Sequence, residues 1–297
     1  MRRIAYLVSS NVIEGRPEAR CDAHELTAQM KAIDPPCRDA GFALETIVWD
    51  EGFDPERYEA VIVGPAWDYW DKSAQFLDVL SAASASRPLL NPVDVVRWNM
   101  DKTYLRDLAR LGAPVIETVW AEAATPDAIA AAFDTLGSDD LVIKPVIGAG
   151  AWRQARVKRG ETLPDASQLP PERAMIQAFL PSIAEEGEYS FLFFGGEYSH
   201  TVIKRPASGD YRIQGSYGGV DTPHASSPAD IALARQCLEA ACTHCGVETL
   251  LYARVDMVRG GDGALKLMEI ELIEPFYYPD NAPDMGEVFA RALSKAL

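Results

Sequence analysis

The first hundred residues alternate short apolar runs with segments of helical periodicity. The apolar runs predict strands at 3–9, 43–49 and 60–64, and the periodic segments predict helices near 22–40 and at 73–84. Strands that alternate with helices in this way predict a small parallel sheet. The turn after the first strand reads Ser9-Ser10-Asn11-Val12 and lacks the GxGxxG pattern, so a Rossmann dinucleotide site is not expected.

Aromatic residues follow the third predicted strand. The strand ends at Gly64-Pro65, and the next residues are Ala66-Trp67-Asp68-Tyr69-Trp70. Loops at the carboxyl ends of strands in α/β sheets often bind ligands. The alternative is that these aromatic side chains brace a neighbouring domain, and the pattern alone leaves both interpretations open.

A new helix is predicted after the first domain, which ends near 92–99. Asn99 is expected to cap this helix, with Lys102 in its first turn and Gly112 at its end. A cation at a helix N-terminus opposes the helix dipole, and a bound anion would remove that conflict. The alternative is a solvated lysine offset by Asp101.

The middle of the chain places a lysine at the end of a buried strand. After a strand at 115–120 and a helix at 126–136, the run 141–145 carries Lys144 directly before Pro145. The following loop contains Gly148 and Gly150, whose backbone N–H groups can approach a phosphate. No Gly-Lys-Ser/Thr sequence follows, so the loop is not a Walker A motif.

The C-terminal half has the pattern of an antiparallel sheet. An apolar run from 174 breaks at Pro181, an acidic turn follows at 185–188, and a hairpin at 189–204 turns at Gly195-Gly196. The next loop carries Arg212, whose guanidinium could grip a phosphate or carboxylate. A mobile polar loop is the alternative. A helix is predicted at 228–245.

The last two predicted strands contain acidic residues at positions that otherwise look buried. Strict alternation in 265–273 puts Lys266, Met268, Ile270 and Leu272 on one face, and Leu267, Glu269, Glu271 and Ile273 on the other. Adjacent carboxylates repel, and desolvation worsens this, so a divalent cation between them is expected. Asp256 on the partner strand would be a third ligand. A solvated strand edge is the alternative.

Composition excludes several classes of protein. With 297 residues, 48% of them hydrophobic and 24% charged, the chain can form two or three subdomains. The net charge of −16 argues against a nucleic-acid partner. The apolar run near Met1 is too short for a membrane or signal segment. The odd number of cysteines, five, gives no disulfide framework and favours a cytoplasmic location.

Taken in order, these features resemble the ATP-grasp superfamily across nearly the whole chain. Within it, the chain is similar to compact glutathione-synthetase-like ligases, and most closely to cyclo-ligases that form the antibiotic D-cycloserine. The stretches that carry this similarity are GPAWDYW (64–70), LLNPVDVVRWNMDK (89–102) and MEIELIEP (268–275). The resemblance implies an α/β (α+β) fold with a parallel pre-ATP-grasp domain (1–98), a central subdomain (99–180) and a metal-binding subdomain (181–297).

The same resemblance implies a role for each candidate residue. Lys102 and Lys144 would contact the phosphates and the adenine side of ATP, beneath the loop of Gly148 and Gly150. The remaining roles would be divided as follows: adenine at Gln177, Phe179 and Leu180; ribose at Glu188, with Glu185 as a further candidate; Mg²⁺ at Asp256, Glu269 and Glu271; and phosphate and substrate at Arg212 and Arg254. Glu271 departs from the pattern, since the family usually has asparagine there.

The activity implied is ATP- and Mg²⁺-dependent activation of a carboxylate as an acylphosphate, which a nitrogen nucleophile then attacks. The closest resemblance implies cyclisation of O-ureido-D-serine to D-cycloserine, with release of ADP, phosphate, CO₂ and NH₃. Two alternatives stay open: a two-substrate ligase joining a carboxylate to an amine, and a nucleotide-binding protein without turnover. The buried acids argue against the second. The expected partner is a small amino-acid-like substrate selected by the 10–20 and 64–72 loops, and a homo-oligomer is left open by analogy.

Overall fold

The computed structural model describes residues 1–213 and 215–297 of the chain. Within them the chain forms three sheets. The strands are β1 Arg2–Val8, β2 Phe42–Val48, β3 Ala60–Val63, β4 Leu89–Leu90, β5 Thr118–Ala121, β6 Asp140–Pro145, β7 Ala155–Lys158, β8 Ala174–Ala178, β9 Glu188–Phe194, β10 Glu197–Arg205, β11 Val220–His224, β12 Tyr252–Arg259 and β13 Leu265–Glu271. The helices are α1 His24–Asp39, α2 Ser73–Ser84, α3 Val93–Asn99, α4 Tyr104–Arg110, α5 Pro126–Leu136, α6 Ser182–Glu185, α7 Pro228–Cys245 and α8 Met285–Ala296.

The N-terminal unit is a parallel sheet in the order β2-β1-β3-β4, as the sequence predicts. Successive residues of β1 point to opposite faces, and both faces are covered. Ile4 and Tyr6 pack in the core that includes residues of α1 and α8, while Ala5 and Leu7 pack in the core that includes residues of α2. A strand buried on both faces is uniformly apolar, which is the pattern that the sequence shows.

The C-terminal helix α8 returns to the N-terminal unit and packs on α1. Their closest approach is at Gly286, where a Cβ would lie 2.1 Å from the backbone oxygen of Ala32. Any larger residue would force the two helices apart, so glycine sets this packing distance. Residues of β9 and β12 share the same core, so the C-terminal sheet lies close to the first sheet. No helix among the described residues has the length and apolar character needed to cross a bilayer.

Two antiparallel sheets form the rest of the structure. The central sheet has the order β5-β8-β6-β7 and a core of its own with α5. The C-terminal sheet has the order β11-β10-β9-β12-β13, and its core includes residues of α4 and α7. The faces of these sheets that are not covered by helices border the large cavity described below.

The prediction that Asn99 caps a helix carrying Lys102 in its first turn is wrong. Asn99 is the last residue of α3, α4 begins at Tyr104, and Lys102 lies in the turn between the two helices. The turn forms because the Asp101 carboxylate accepts hydrogen bonds from the backbone and side chain of Thr103. Lys102 is therefore free of the helix dipole conflict that the sequence suggested.

Buried amide side chains tie this region to the C-terminal sheet. Asn99 donates to the carbonyl of Ile270 and accepts from the N–H of Leu272, both at 2.9 Å. Asn91, with φ of 68°, donates to the carbonyls of Tyr252 and Leu272 at 2.9 and 2.8 Å and accepts from the N–H of Leu251 at 2.9 Å. Each amide satisfies strand-end backbone groups that would otherwise be buried unpaired.

Candidate active site

A cavity of ≈ 690 Å³ lies between the three sheets, and it brings together almost all of the residues singled out in the sequence. Those that line it are Lys102, Lys144, Gly148, Gly150, Gln177, Phe179, Leu180, Glu188, Arg212, Arg254, Asp256, Glu269 and Glu271. Glu185 does not line the cavity; it lies in α6 with an exposed side chain. A cavity of this size is large enough for a nucleotide and a small substrate.

An apolar slot beside β8 forms part of the cavity. Ile116, Ile183 and Val258 pack together, with Phe179 and Met268 against them. The backbone N–H of Phe179 is already bonded to the carbonyl of Asp140 at 2.8 Å. Within the described residues the N–H of Leu180 donates no hydrogen bond to protein. A flat apolar slot with one free backbone donor suits a purine ring.

The glycine-containing loop between β6 and β7 covers the next part of the cavity. Gly148, Gly150, Ala151 and Arg153 all have positive φ, at 155°, 59°, 58° and 47°. For the alanine and the arginine this is a left-handed conformation that costs energy and is found most often at functional sites. Trp152, in the same loop, packs on Trp70 with ring centroids 5.1 Å apart. Trp70 belongs to the segment 66–70 that follows β3, which we call the aromatic loop. The aromatic loop therefore lines the cavity and also contacts the glycine-containing loop.

Two lysines lie below this loop. Lys102 donates to the carbonyl of Gly148 and pairs with the Glu269 carboxylate, both at 2.8 Å. Lys144, by contrast, has no ion-pair or hydrogen-bond partner for its ammonium group in the part of the chain that the structure describes. Burial lowers the pKa of Lys144, against the attraction of Glu269 and Glu188. The side chain is half-buried, and a partly desolvated ammonium group without a partner favours a bound anion.

The acidic residues form a row across three neighbouring strands, β9, β12 and β13, and β10 adds a lysine to it. Strand pairing places Glu188 opposite Lys204, Ser190 opposite Asp256, and Asp256 opposite Glu269. Cross-strand neighbours on one face of a sheet lie within side-chain contact distance. The row, which we call the acid row, consists of Glu188, Asp256, Glu269 and Glu271, with Lys204 and Arg254 between its members.

The pKa values of the acids in this row are shifted in different directions. Burial raises the pKa of Asp256, but Arg254 at 2.9 Å and Lys204 at 3.4 Å outweigh it, so the pKa is lowered and the carboxylate stays ionised. Burial, together with repulsion from Asp256 and Glu269, raises the pKa of Glu271 to about 7 even though Arg254 pairs with it. Burial likewise raises the pKa of Glu188 to about 7 beside Lys204.

The predicted alternation of 265–273 is wrong at one point. Pairing between β12 and β13 shifts register between Asp256/Glu269 and Met257/Leu267, which leaves Met268 as the extra residue of a bulge. Leu267 and Ile270 consequently both enter the core of the C-terminal sheet, while Met268, Glu269 and Glu271 line the cavity. A bulge of one residue switches side chains between faces.

The donor set of the acid row matches the chemistry of Mg²⁺, which prefers carboxylate oxygens. As they stand, no three acidic, histidine or cysteine side chains in the described ranges converge into a metal-binding group. The reason is visible in the ion pairs, since Lys102 holds Glu269, and Arg254 holds both Asp256 and Glu271. A metal would therefore replace these cations rather than enter an empty cage.

Arg212 lines the cavity from the polar loop, where it donates twice to the carboxylate of Asp210 and lies over the ring of Tyr217 at 3.8 Å. Gln214 of the same loop lies outside the described residues. Arg254 is only 6% exposed and is held by two carboxylates. Because Arg254 pairs with both Asp256 and Glu271, it can hold these two carboxylates in place, and this role fits its position as well as contact with a phosphate does.

Sequence reasoning missed several residues of this cavity. Lys204 is the last residue but one of β10 and precedes Arg205-Pro206, which is close to the signal that identified Lys144, yet the sequence pattern placed it only at the end of the hairpin, without a role in the site. Glu274, which is 8% exposed, follows β13 and lines the cavity. Glu25 lies in the first turn of α1 and also lines the cavity. No local sequence pattern marks Glu274 or Glu25, because they reach the cavity only when segments distant in the sequence fold together.

Comparison with known proteins agrees with this geometry. Residues 4–91 match the family model for the N-terminal domain of D-cycloserine synthetase DcsG. The chain is 32% identical over 277 residues to the cycloserine biosynthesis protein DcsG of Streptomyces lavendulae, covering 88% of this chain and 91% of that one. It superposes on the crystal structure of D-cycloserine synthetase DcsG with a TM-score of 0.84 and 25% identity, covering 99% of each chain.

A more distant match shows the fold alone. The ATP-grasp ligase PsnB, solved with a phosphomimetic precursor variant, Mg and ADP, gives a TM-score of 0.64 at 14% identity, covering 99% of this chain and 98% of that one. The fold is that of the ATP-grasp ligases, which confirms the predicted fold class, and the protein is an ATP-dependent ligase. More narrowly, the chain belongs to the DcsG family.

Proposed function

We propose that the protein uses ATP and Mg²⁺ to activate the carboxylate of an O-ureido-serine as an acylphosphate, and that a nitrogen of the same molecule then attacks the acyl carbon and displaces phosphate. The product would be the five-membered ring of D-cycloserine, formed with release of ADP and phosphate, while one water molecule hydrolyses the carbamoyl group to CO₂ and NH₃. The observation that carries the proposal is the junction of two features in one cavity: an unpaired Lys144 under the glycine-containing loop, and the acid row beside it. Membership of the DcsG family supports the choice of substrate.

In this proposal, the chain's own residues bind and orient the reactants. The slot at Phe179 and Leu180 holds adenine, and Lys144 faces the phosphates. Mg²⁺, held by Asp256 and Glu269 with Glu271, would neutralise charge on the phosphate oxygens as the γ-phosphoryl group is transferred. Binding of Mg²⁺ to Glu269 would free Lys102 from its ion pair. Its remaining contact is the carbonyl of Gly148 in the loop that covers the phosphates, so Lys102 would lie close enough to contact them.

Exclusion of water is the second requirement, because an acylphosphate hydrolyses readily. The loop bearing Trp152 and the aromatic loop bearing Trp70 meet above the cavity. Contact between them would hold the phosphates and the substrate in one closed volume. Intramolecular attack then needs no second substrate, and proximity contributes several kcal/mol to ring closure.

The test is ADP release with candidate substrates supplied singly and in pairs. O-ureido-D-serine alone should support ADP release and yield cycloserine by mass spectrometry, in proportion to the ADP formed. Other amino acids supplied singly should give only background ADP release, and so should O-ureido-D-serine without Mg²⁺. If ADP release required two substrates, or if ADP formed without a cyclic product, the cyclisation would be refuted and a two-substrate ligase would take its place.

A further inference from the structure

The cavity contains a buried carboxylate that the proposed function does not use. Glu274 follows β13 and is 8% exposed, and it lines the cavity. Its backbone oxygen accepts a hydrogen bond of 3.1 Å from the indole of Trp67, which fixes the residue in place. Across the described ranges, no hydrogen-bond donor and no cationic side chain pairs with its carboxyl group. The group therefore meets the cavity without a partner.

The neighbouring acids make a negative charge on Glu274 unfavourable. The cations nearest in effect, Lys102 and Arg254, are already paired with other acids, Lys102 with Glu269 and Arg254 with Glu271 and Asp256. Burial and the charge of Glu271 raise the pKa of Glu274 well above its ordinary value. A cationic ligand would relieve both the desolvation and the repulsion.

A second acid of the cavity comes from the N-terminal unit. Glu25, in the first turn of α1, forms no ion pair with any described residue, and burial with the charges of Asp22 and Asp221 raises its pKa to about 7. Arg20 compensates only in part, because both of its side-chain hydrogen bonds, each of 2.7 Å, go to Asp22. Two acids that pair with no described residue thus line the same cavity, one from the N-terminal unit and one from the end of β13.

We propose that Glu274, assisted by Glu25 of the N-terminal unit, binds the ammonium group of an α-amino-acid substrate whose carboxylate lies towards Lys102 and the acid row. This inference rests on the proposed function, which requires a carboxylate at that place. An α-amino acid carries its ammonium and carboxylate groups on the same carbon, so the carboxylate can meet the cations while the ammonium group meets Glu274. The substrate class is therefore an amino acid with a free α-amino group. Substrates with an acylated or absent amino group are rejected.

A metal ion is a weaker fit than an ammonium group at this place. In the part of the chain that the structure describes, no third acid, histidine or cysteine joins Glu274 and Glu25 in a metal-binding arrangement. Two carboxylates are too few for a protein metal site, which takes three or more ligands, whereas one carboxylate is enough to pair with an ammonium group.

The experiment compares O-ureido-D-serine with its analogue that lacks the α-amino group, in wild type, Glu274→Gln and Glu25→Gln. The control is Glu287→Gln, an exposed acid on α8 outside the cavity. Wild type should prefer the amino compound in kcat/KM for ADP release. Glu274→Gln should reduce that preference about ten- to hundredfold by raising KM for the amino compound alone. Glu25→Gln should act in the same direction, and Glu287→Gln should match wild type.

Each other outcome counts against a defined part of the reasoning. If Glu274→Gln kept the preference, or instead raised the Mg²⁺ concentration needed for half-maximal activity, the ammonium assignment would be overturned. If wild type released ADP equally with both compounds, the inference would fail while the proposed function survived. If wild type bound ATP but released ADP with neither compound, both would fall. Glu274→Asp, which keeps the charge, separates a folding defect from loss of the carboxylate, because it should retain part of the preference.

Discussion

Replacing Glu271 with glutamine should stabilise the metal-free protein while impairing its function. Glutamine has the shape of a protonated glutamate and can still accept a hydrogen bond from Arg254. The substitution therefore removes only the negative charge, which lies beside Asp256 and Glu269. The attraction of Arg254 opposes this gain, but the raised pKa of Glu271 shows that burial and repulsion outweigh the attraction.

The magnitude follows from the pKa. Burial and neighbouring acids raise the pKa of Glu271 from its ordinary 4.5 to about 7. A difference of this size corresponds to about 3 kcal/mol of preference for the neutral form in the folded protein. Because the side chain is 27% exposed, solvent screening reduces the expected gain to about 2 kcal/mol. The full gain applies above pH 7, falls as the pH drops towards 4.5, and vanishes below it, where both states are protonated.

The assay is urea unfolding of wild type and Glu271→Gln at pH 8 and pH 4, with a chelator present. Asp256→Asn is a matched control with the opposite sign, because Arg254 and Lys204 lower the pKa of Asp256 and its charge therefore stabilises the fold. Asp256→Asn should be less stable than wild type at pH 8, and the difference should shrink as the pH falls through the carboxyl range. If both variants were destabilised alike at pH 8, this account of the acid row would be refuted.

Three further substitutions test other parts of the cavity. Lys144→Ala should weaken ATP binding about ten- to hundredfold by calorimetry, because a half-buried cation without a protein partner is lost, while the exposed Lys158→Ala should leave the affinity unchanged. Glu269→Gln should abolish Mg²⁺-dependent ADP release while keeping a cooperative unfolding transition. Trp152→Ala should remove the contact with Trp70, worth about 1 kcal/mol, and raise KM for ATP about fivefold, with partial rescue by phenylalanine.

Specific outcomes would contradict these expectations. Unchanged ATP affinity in Lys144→Ala would remove that lysine from the phosphate site. Turnover retained in Glu269→Gln would remove the metal assignment that the sequence resemblance implied. An effect of Trp152→Ala that Trp70→Ala did not reproduce would show that the loop residue acts without its aromatic partner.

Helix ends that are encoded locally could be predicted to the residue. The helices predicted at 126–136 and 228–245 have those bounds in the structure. Thr125 and Ser227 cap their first turns through side-chain oxygens, and Gly137 and Gly246 end them in the left-handed conformation. These signals lie within one turn of the boundary, so no distant contact alters them.

Features set by distant strands could not be predicted in this way. The bulge at Met268 depends on how β13 pairs with β12, and it moves Leu267 off the face that carries Glu269. Asn99 resembles a helix cap in sequence but bonds instead to strand carbonyl and N–H groups far along the chain. The candidate residues could be gathered only because a family resemblance supplied their order, whereas Glu274, which that order does not include, was found only from the cavity.

The buried amides of Asn91 and Asn99 determine which part of the molecule is free to hinge. They fasten the N-terminal sheet and the C-terminal sheet into one rigid body, which α8 reinforces by packing on α1. The central sheet has its own core and is joined to the rest by backbone contacts, among them hydrogen bonds from the N–H of Ile116 to the carbonyl of Leu267 and from the N–H of Lys102 to the carbonyl of Val146. We therefore expect the cavity to open by movement of the central sheet against the other two sheets, which would break the contact of Trp152 with Trp70.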